Sequence, residues 1–137
     1  MKNGHVKIEH HPGVPRGFKV MANKVQIEQI LINLALNSLE AIKGSGKPTG
    51  NIIVQTRLLP NETIETTVTD NGPGIDADMA GRMFSPFQTS KPSGMGMGLS
   101  ISRTIIEAHG GRMTVSANSG RGVTFNFTLP VEKGVLP

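Results

Sequence analysis

The stretch Gly94-Met95-Gly96-Met97-Gly98-Leu99-Ser100 places three alternating glycines directly before a helical pattern that ends at Gly110-Gly111. A glycine-rich loop that leads into a helix offers a phosphate group free backbone N–H groups and the positive end of the helix dipole. No Lys-Ser or Lys-Thr pair follows the last glycine, which excludes a P-loop, and the glycine spacing differs from the dinucleotide fingerprint. The stretch therefore predicts a nucleotide site of another kind.

The composition limits the class of protein. The 137 residues suffice for one domain with a core, and the lack of cysteine excludes a disulfide scaffold and a thiol nucleophile. No apolar run approaches the length of a membrane span, and no secretory signal peptide is visible. The net charge of +4 is spread along the chain, and aromatic residues make up only 4%. We therefore expect a cytoplasmic domain without membrane contact or a nucleic-acid partner.

The apolar residues alternate between the period of a helix and that of a strand. We expect a long helix over residues 24 to about 43 with Asn23 as its N-cap, a short helix near 76–83, and a third helix after Gly98. The expected strands are 6–9, 18–22, 51–59, 63–69, 112–117 and 123–129. This order, with several strands joined as hairpins, predicts an α/β two-layer sandwich with a mixed sheet.

Two asparagines lie one turn apart on the long helix, where Asn33 and Asn37 share a face with Gln29 and Glu40. The opposite face is apolar: Ile27, Leu31, Leu34, Ala35 and Ile42. Asparagine is a poor helix former, so two of them on one face favour a ligand or metal over an ordinary wet surface, which stays the alternative. An amide oxygen is a suitable ligand for Mg²⁺ shared with phosphates.

A second polar segment, Asp70-Asn71-Gly72-Pro73-Gly74, ends an alternating strand. Asn-Gly and Pro-Gly are common turn signals, but a helical pattern follows instead of a returning strand. A carboxylate at a strand end can accept a hydrogen bond from an exocyclic amine such as that of adenine. The two glycines would let a flat ring approach the backbone.

The segment between the two glycine motifs holds further candidates. Thr89, Ser90 and Lys91 could supply hydroxyl groups and a positive charge to phosphates, although a solvated lysine is the plainer interpretation. Phe84 and Phe87 are expected to anchor the loop on the core. Elsewhere, His109 precedes two glycines at a helix end, where we expect a capping or dipole role. No residues have the spacing of a zinc site or of a serine nucleophile elbow.

The order of these motifs resembles that of a known enzyme family. Asn33…Asn37 on a helix, Asp70-x-Gly72-x-Gly74, Phe84-x-x-Phe87 and Gly94-x-Gly96-x-Gly98-Leu99 resemble the N, G1, F and G2 boxes of sensor histidine kinases. The resemblance covers residues 6–130, and segments 84–87 and 98–102 favour the branch that senses oxygen, nitrogen or dicarboxylates. The chain is similar to the catalytic ATP-binding domain of a two-component kinase.

This resemblance implies the Bergerat fold, a mixed and mostly antiparallel sheet backed by about three helices, with ATP under a mobile lid at 84–98. By position, Asn37 would hold Mg²⁺ and Asn33 would act at the phosphates, so these two are the implied catalytic residues. Asp70 would bind the adenine amine, and Gly72 and Gly74 would line the base. Four residues at the helix start would bind phosphates through their backbone: Gly96, Met97, Gly98 and Leu99. Gly94 belongs to the same segment.

Three features depart from the family pattern. Glu40 stands where many members carry Lys or Arg, although the favoured branch often has Glu, and Val123 stands where a hydroxyl residue is common. Neighbouring Thr124 should point to the opposite strand face and is left outside the predicted site. The family's phosphoacceptor is a histidine followed by an acidic residue on a dimerisation helix. It has no counterpart, because His5, His10 and His11 are followed by Val6, His11 and Pro12.

The expected function is that of a protein-histidine kinase. We expect residues 1–137 to form one catalytic domain that binds ATP and Mg²⁺, either an excised domain or one half of a kinase, without dimerisation and sensor domains. It would donate the γ-phosphate to a histidine of a dimerisation domain, with a response regulator downstream. Alternatives are an ATP-hydrolysing switch or an anti-sigma-type serine kinase of the same fold, and a non-catalytic nucleotide-binding module. Hydrolysing relatives carry Glu where this chain has Asn33, a poor general base.

Overall fold

A computed structural model describes residues 5–14, 19–44, 46, 49–74, 77–82, 84, 96–118 and 122–132. Within these residues the chain forms five strands and three helices. The strands are β1 (His5–His11), β2 (Thr49–Leu59), β3 (Thr63–Asp70), β4 (Arg112–Ala117) and β5 (Val123–Pro130). The helices are α1 (Lys24–Gly44), α2 (Ala77–Arg82) and α3 (Gly96–Ala108).

The strands form one sheet in the order β1-β2-β3-β5-β4. The pair β1 and β2 is parallel, and the other three pairs are antiparallel. Parallel strands need a long crossover connection, which α1 provides between β1 and β2. The prediction of a mixed, mostly antiparallel sheet is therefore confirmed. Asp70 ends the central strand β3, between β2 and β5.

One face of the sheet packs against the helices, as the alternating pattern predicts. Along β5 every second side chain is buried, which places Phe125 and Phe127 in the core. The core is completed by residues from the neighbouring strands and from α1 and α3: Ile30, Leu34, Ile42, Ile52, Val68, Leu99, Ile106 and Met113. The structure is thus the two-layer α/β sandwich expected from the sequence, with a single core between its layers.

Helix α1 confirms its sequence signals, whereas the strand expected just before it is wrong. The Asn23 Oδ1 accepts a hydrogen bond from the Gln26 N–H at 3.0 Å, the bond of an N-cap. Of the expected strand 18–22, the structure describes residues 19–22, where Val20 forms one isolated bridge to Val131 and the Glu132 N–H donates to the Lys19 carbonyl at 2.6 Å. Val20 and Ala22 alternate because both pack against the core, which produces a strand-like pattern although no regular strand forms at residues 19–22.

Helix α3 begins three residues earlier than the sequence predicts, at Gly96 instead of after Gly98. Glycine has low helix propensity, so the alternating glycines favour a loop when they are considered alone. The tertiary structure overrides this preference: Leu99 is buried, and a Cβ added to Gly98 would lie 3.6 Å from the Asn33 Nδ2 on α1. The first turn of α3 therefore contains Gly96, Met97 and Gly98.

His109 joins the end of α3 to the start of α1. Its Nδ1 lies 2.7 Å from the Ile105 carbonyl oxygen, and its Nε2 accepts the Asn23 N–H at 3.1 Å. The expected capping role is confirmed, and the second bond also links the two helices. Gly110 follows at a φ of 83°, and the Gly111 N–H bonds to the Ile106 carbonyl, which ends the helix.

The other face of the sheet is polar and carries an ion pair between β2 and β3. The Arg57 Nε donates to the Glu65 Oε1 at 2.5 Å, and the Asn126 Nδ2 donates to the Glu65 Oε2 at 2.5 Å. The hydrogen bond from Arg57 lowers the pKa of Glu65 below its ordinary value, and the bond from Asn126 acts in the same direction. Among the described residues, no helix is long and apolar enough to cross a membrane.

Glu65→Gln should destabilise the fold near neutral pH and have little effect in acid. A carboxyl group whose pKa is lowered by folding adds stability above its unfolded pKa, and this stability is lost as the pH falls through the folded pKa. The effect should be small because the Arg57 side chain is 61% exposed. Thermal unfolding between about pH 7 and about pH 3 measures the difference, with the exposed Glu28→Gln as control. A difference that persists in acid would contradict this.

Candidate functional site

Asp70 is the most buried acidic side chain among the described residues, at 3% exposure. Its Oδ1 accepts hydrogen bonds from the Gly72 N–H at 2.9 Å and from the Val123 N–H at 3.3 Å. No donor within the described ranges bonds to its Oδ2. An ionised carboxylate is an acceptor on both oxygens, so the second oxygen is suited to an N–H donor of a ligand.

The two glycines after Asp70 lie where larger residues would disturb the backbone. A Cβ on Gly72 would be 3.2 Å from the Asp70 Oδ1 and 3.6 Å from the Ile42 backbone nitrogen. Gly74 has a φ of 88°, and a Cβ there would be 3.3 Å from the Gly122 nitrogen. The segment therefore passes close to the carboxylate and to the turn before β5, which leaves the space beside Asp70 free of side chains from these positions.

Asn71, the residue between them, has a structural role. Its Oδ1 accepts the Asn51 N–H at 2.8 Å, and its own N–H donates to the Asn51 carbonyl at 3.3 Å. These bonds continue the pairing of β2 with β3 past the end of the strand. They fix the position from which the glycine segment departs.

The polar residues of α1 lie along its border with the core. Asn37 is only 8% exposed and is buried together with Ser38, whereas Asn33 and Glu40 are half-buried and Gln29 is exposed. The Gln29 Nε2 donates to the Asn33 Oδ1 at 3.3 Å. The stripe expected from the sequence is therefore real, but Asn37 lies deeper than a solvent-facing stripe would place it.

The first turn of α3 lies beside this border. Gly98 lies beside Asn33, and a Cβ on Gly98 would be 3.6 Å from the Asn33 Nδ2. The first backbone N–H groups of a helix have no partner within the helix, so those of Gly96 and its neighbours are available to an anion. Leu99 points its side chain into the core, so only its backbone could contact a ligand.

Several predicted site residues lie outside the described residues: Thr89, Ser90, Lys91 and Gly94. The expected lid at 84–98 is described only at Phe84 and from Gly96 onward. Phe84 packs against the core, and the Arg103 guanidinium lies 4.8 Å from its ring centre. The prediction that Phe84 packs on the core is confirmed, whereas Phe87 lies outside the described residues. For Met97 the structure describes the backbone but not the side chain.

The two halves of the candidate site lie along one helix. Asp70 and Gly72 are next to Ile42 near the end of α1, whereas Gly98 is next to Asn33 in its middle. Ile42 and Asn33 are roughly 14 Å apart along the axis, given the rise per residue of an α-helix. The site therefore has an acceptor for an amine at Asp70 and the N–H groups of a helix start near Gly98. This arrangement suits an extended ligand with a base and phosphates.

Asn118 is the residue at this site that the sequence did not reveal. Its Nδ2 donates to the Asp70 carbonyl oxygen at 3.1 Å, and its Oδ1 accepts the Thr124 hydroxyl at 2.5 Å. The sequence predicts only a Gly-rich turn at this position, and nothing in it indicates the contact with Asp70. Thr124 points to the face opposite the core, as expected, where it lies 3.2 Å from the Thr69 hydroxyl oxygen.

Residues 22–133 match a protein family described as histidine kinase-, DNA gyrase B-, and HSP90-like ATPases. Among curated proteins, sensor protein FixL of Bradyrhizobium diazoefficiens is 47% identical over 111 residues, which are 81% of this chain and 22% of FixL. The chain spans about a fifth of the length of the curated relatives it matches.

Solved structures with the same fold are also similar in sequence. The catalytic domain of histidine kinase ThkA superposes with a TM-score of 0.78 at 33% identity, covering 91% of this chain and 78% of that chain. A complex of ThkA with response regulator protein TrrA gives 0.71 at 32% identity, covering 91% and 34%. Full-length ShkA in complex with AMPPNP gives 0.74 at 27% identity, covering 95% and 27%.

Proposed function

The chain belongs to the family of histidine kinase-, DNA gyrase B- and HSP90-like ATPases, and from this we propose that it is the ATP-binding part of a protein-histidine kinase. It binds ATP with Mg²⁺ and presents the γ-phosphate to a histidine of a dimerisation domain. The observation that carries the proposal is the buried Asp70, whose Oδ1 is bonded to two backbone N–H groups. Its Oδ2 accepts the amino group of adenine.

Adenine lies beside Gly72 and Gly74 in this proposal. The absence of side chains there leaves a flat surface of backbone, and the carboxylate of Asp70 selects a base that carries a donor. Guanine presents a carbonyl oxygen at the position of the adenine amine, so a carboxylate would repel it. The site therefore selects ATP over GTP.

The phosphates lie between the first turn of α3 and the polar border of α1. The N–H groups from Gly96 to Leu99 and the amide of Asn33 donate to them, and Gly94, Thr89, Ser90 and Lys91 remain further candidates by position. Asn37 would supply an amide oxygen to Mg²⁺, a ligand type suited to an ion that is shared with phosphates. Within the described residues no cluster of three His, Asp or Glu side chains offers a different metal site. Bound Mg²⁺ neutralises phosphate charge.

The reaction follows from this arrangement. A nitrogen of the acceptor imidazole forms a bond to the γ-phosphorus as the bond to the β,γ-bridging oxygen breaks, and ADP leaves. The nucleophile comes from another domain, so this chain acts by positioning and by electrostatic stabilisation. The partners are a histidine-bearing dimerisation domain and a response regulator, and the complex of ThkA with TrrA supports the response regulator by analogy. We propose that the domain lies in the cytoplasm, because it uses the ATP of that compartment.

Calorimetric titration of the chain with AMPPNP, with and without Mg²⁺, tests the proposal directly. We expect saturable binding that Mg²⁺ strengthens, and competition by ATP. The absence of binding at about millimolar nucleotide, which corresponds to roughly −4 kcal/mol, would refute the proposal.

Asn37→Ala should weaken nucleotide binding in the presence of Mg²⁺ more than in its absence. The substitution removes the proposed metal ligand, so the ratio of the two affinities should fall by about tenfold, the equivalent of one lost interaction of about 1.4 kcal/mol. Titration with Mg²⁺ and with a chelator gives both affinities. Ser38→Ala, the neighbouring buried position, is the control for burial alone. An unchanged ratio in Asn37→Ala would mean that Asn37 does not contact the metal.

A further inference from the structure

The turn that joins β4 to β5 is bonded to the backbone of Asp70. The Asn118 N–H donates to the Gly122 carbonyl at 3.0 Å, and its side-chain Nδ2 donates to the Asp70 carbonyl oxygen at 3.1 Å. Its Oδ1 accepts the Thr124 hydroxyl at 2.5 Å, and the Thr124 oxygen lies 3.2 Å from that of Thr69. One carboxamide thus connects the turn, β3 and β5.

This contact lies where the regular strand pairing stops. The register between β3 and β5 ends with Thr69 opposite Thr124. One residue further along, the Asp70 carbonyl is bonded by the Asn118 side chain, and the Val123 N–H is directed to the Asp70 Oδ1. The strand is therefore held at Asp70 by the carboxamide on its carbonyl and by a backbone N–H on its carboxylate.

Gly122, the last residue of this turn, packs tightly against Asp70. Gly122 has a φ of 97°, and a Cβ there would overlap the Asp70 carbonyl. Only a glycine allows residue 122 to lie this close to Asp70, and the carboxamide of Asn118 donates to the same carbonyl. A change of the backbone at Asp70, which would move its carboxylate, requires that this bond break.

We propose that Asn118, oriented by Thr124, is a positioning residue that aims the Asp70 carboxylate at the base and thereby sets the base specificity. The inference rests on the proposed function, because it assumes that Asp70 binds the adenine amine. Thr124 donates its hydroxyl proton to the Asn118 Oδ1, which leaves the Nδ2 end of the amide directed at the Asp70 carbonyl. Neither side chain touches the nucleotide.

Thr124→Val tests this proposal with nearly constant side-chain volume. Valine cannot donate to Asn118, whereas Thr124→Ser keeps the hydroxyl. Asn118→Ala breaks the same connection from the other side while the backbone bond to Gly122 remains possible. The matched control is Thr67→Val, the same change on the same outer face of β3, at a residue outside this hydrogen-bond network.

The measured quantity is the ratio of the affinities for ATP and ITP, since ITP carries a carbonyl oxygen in place of the adenine amine. We expect the ratio to fall about tenfold in Thr124→Val and in Asn118→Ala, as for the loss of one well-aligned hydrogen bond. Thr124→Ser and Thr67→Val should keep the ratio of the wild type. Thermal unfolding of each variant reports folding separately, and if Thr124→Val does not fold, the result for Asn118→Ala decides.

Other outcomes separate this inference from the proposed function. If both affinities fall equally in the two variants, or the ratio stays at its wild-type value, Asn118 has only a structural role and the inference is wrong. If the wild type itself binds ATP and ITP with equal affinity, Asp70 does not bind the amine and the proposed adenine site fails with it. A wild type that discriminates, together with variants that do not, supports both.

Discussion

Asp70→Asn should abolish measurable nucleotide binding while the domain remains folded. The side-chain oxygen of asparagine can keep the bonds from the Gly72 and Val123 N–H groups, which occupy Oδ1 in the wild type. The amide NH₂ then takes the place of Oδ2 and faces the adenine amine, so that two donors meet. The lost bond and the unmatched donor should together cost on the order of 2–4 kcal/mol, or roughly 30- to 1,000-fold in affinity.

Calorimetric titration with ATP and thermal unfolding together test this expectation. Asp78→Asn on α2 is the matched control, because its carboxylate is exposed and pairs with Arg82 at 3.0 Å. That variant should bind ATP like the wild type. Retention of wild-type affinity in Asp70→Asn would contradict the adenine assignment, as would equal affinities of the wild-type protein for ATP and GTP.

The elements that the sequence predicts correctly are those whose signals are local. Helix α1 has a side-chain cap at Asn23 and a regular apolar face, and β5 has an unbroken alternation, so both are recognisable without knowledge of their partners. The motif at Asp70 is recognisable because a buried carboxylate at a strand end is bonded by its own downstream backbone, at Gly72. Interactions of this kind join residues that are close in the sequence, so the sequence alone can predict them.

The features that the sequence did not predict depend on distant contacts. The alternation of Val20 and Ala22 comes from packing on the core, and periodicity alone cannot distinguish such packing from strand pairing. The early start of α3 depends on its contact with α1, where Gly98 approaches Asn33. The role of Asn118 depends on Asp70, 48 positions earlier in the chain. The helix and strand propensities of single residues do not depend on such distant neighbours, so they cannot predict these contacts.

The burial of Asn37 shows the same limit within a correctly predicted helix. A periodicity argument assigns each residue of α1 to one of two faces, and Asn37 falls on the polar one. In the structure this border is covered, so Asn37 is buried while Gln29, two turns earlier on the same stripe, stays exposed. Periodicity therefore predicts the face of the helix on which a residue lies, but not how deeply its side chain is buried.

The isolated chain should bind ATP but hydrolyse it very slowly, and phosphotransfer should require a second domain. Asn33 occupies the position at which hydrolysing relatives carry a glutamate, and an amide cannot accept a proton from water. A general base contributes typically 10²–10⁴-fold to a rate, so its absence alone should keep turnover well below about one per second. Glu40 is the carboxylate of α1 on the polar border and therefore the rival base; Glu40→Gln should leave the slow rate unchanged.

Incubation with γ-³²P-labelled ATP, with and without a histidine-bearing dimerisation domain from a related kinase, distinguishes the two activities. With that domain present, the label should appear on the acceptor in a form that acid releases and alkali preserves, as expected of phosphohistidine, and Asp70→Asn should abolish it. The alkali-stable bond also separates this reaction from serine phosphorylation. Rapid phosphate release by this chain alone, faster than roughly one turnover per second, would replace the kinase assignment with that of an ATPase, and its loss in Glu40→Gln would identify the base.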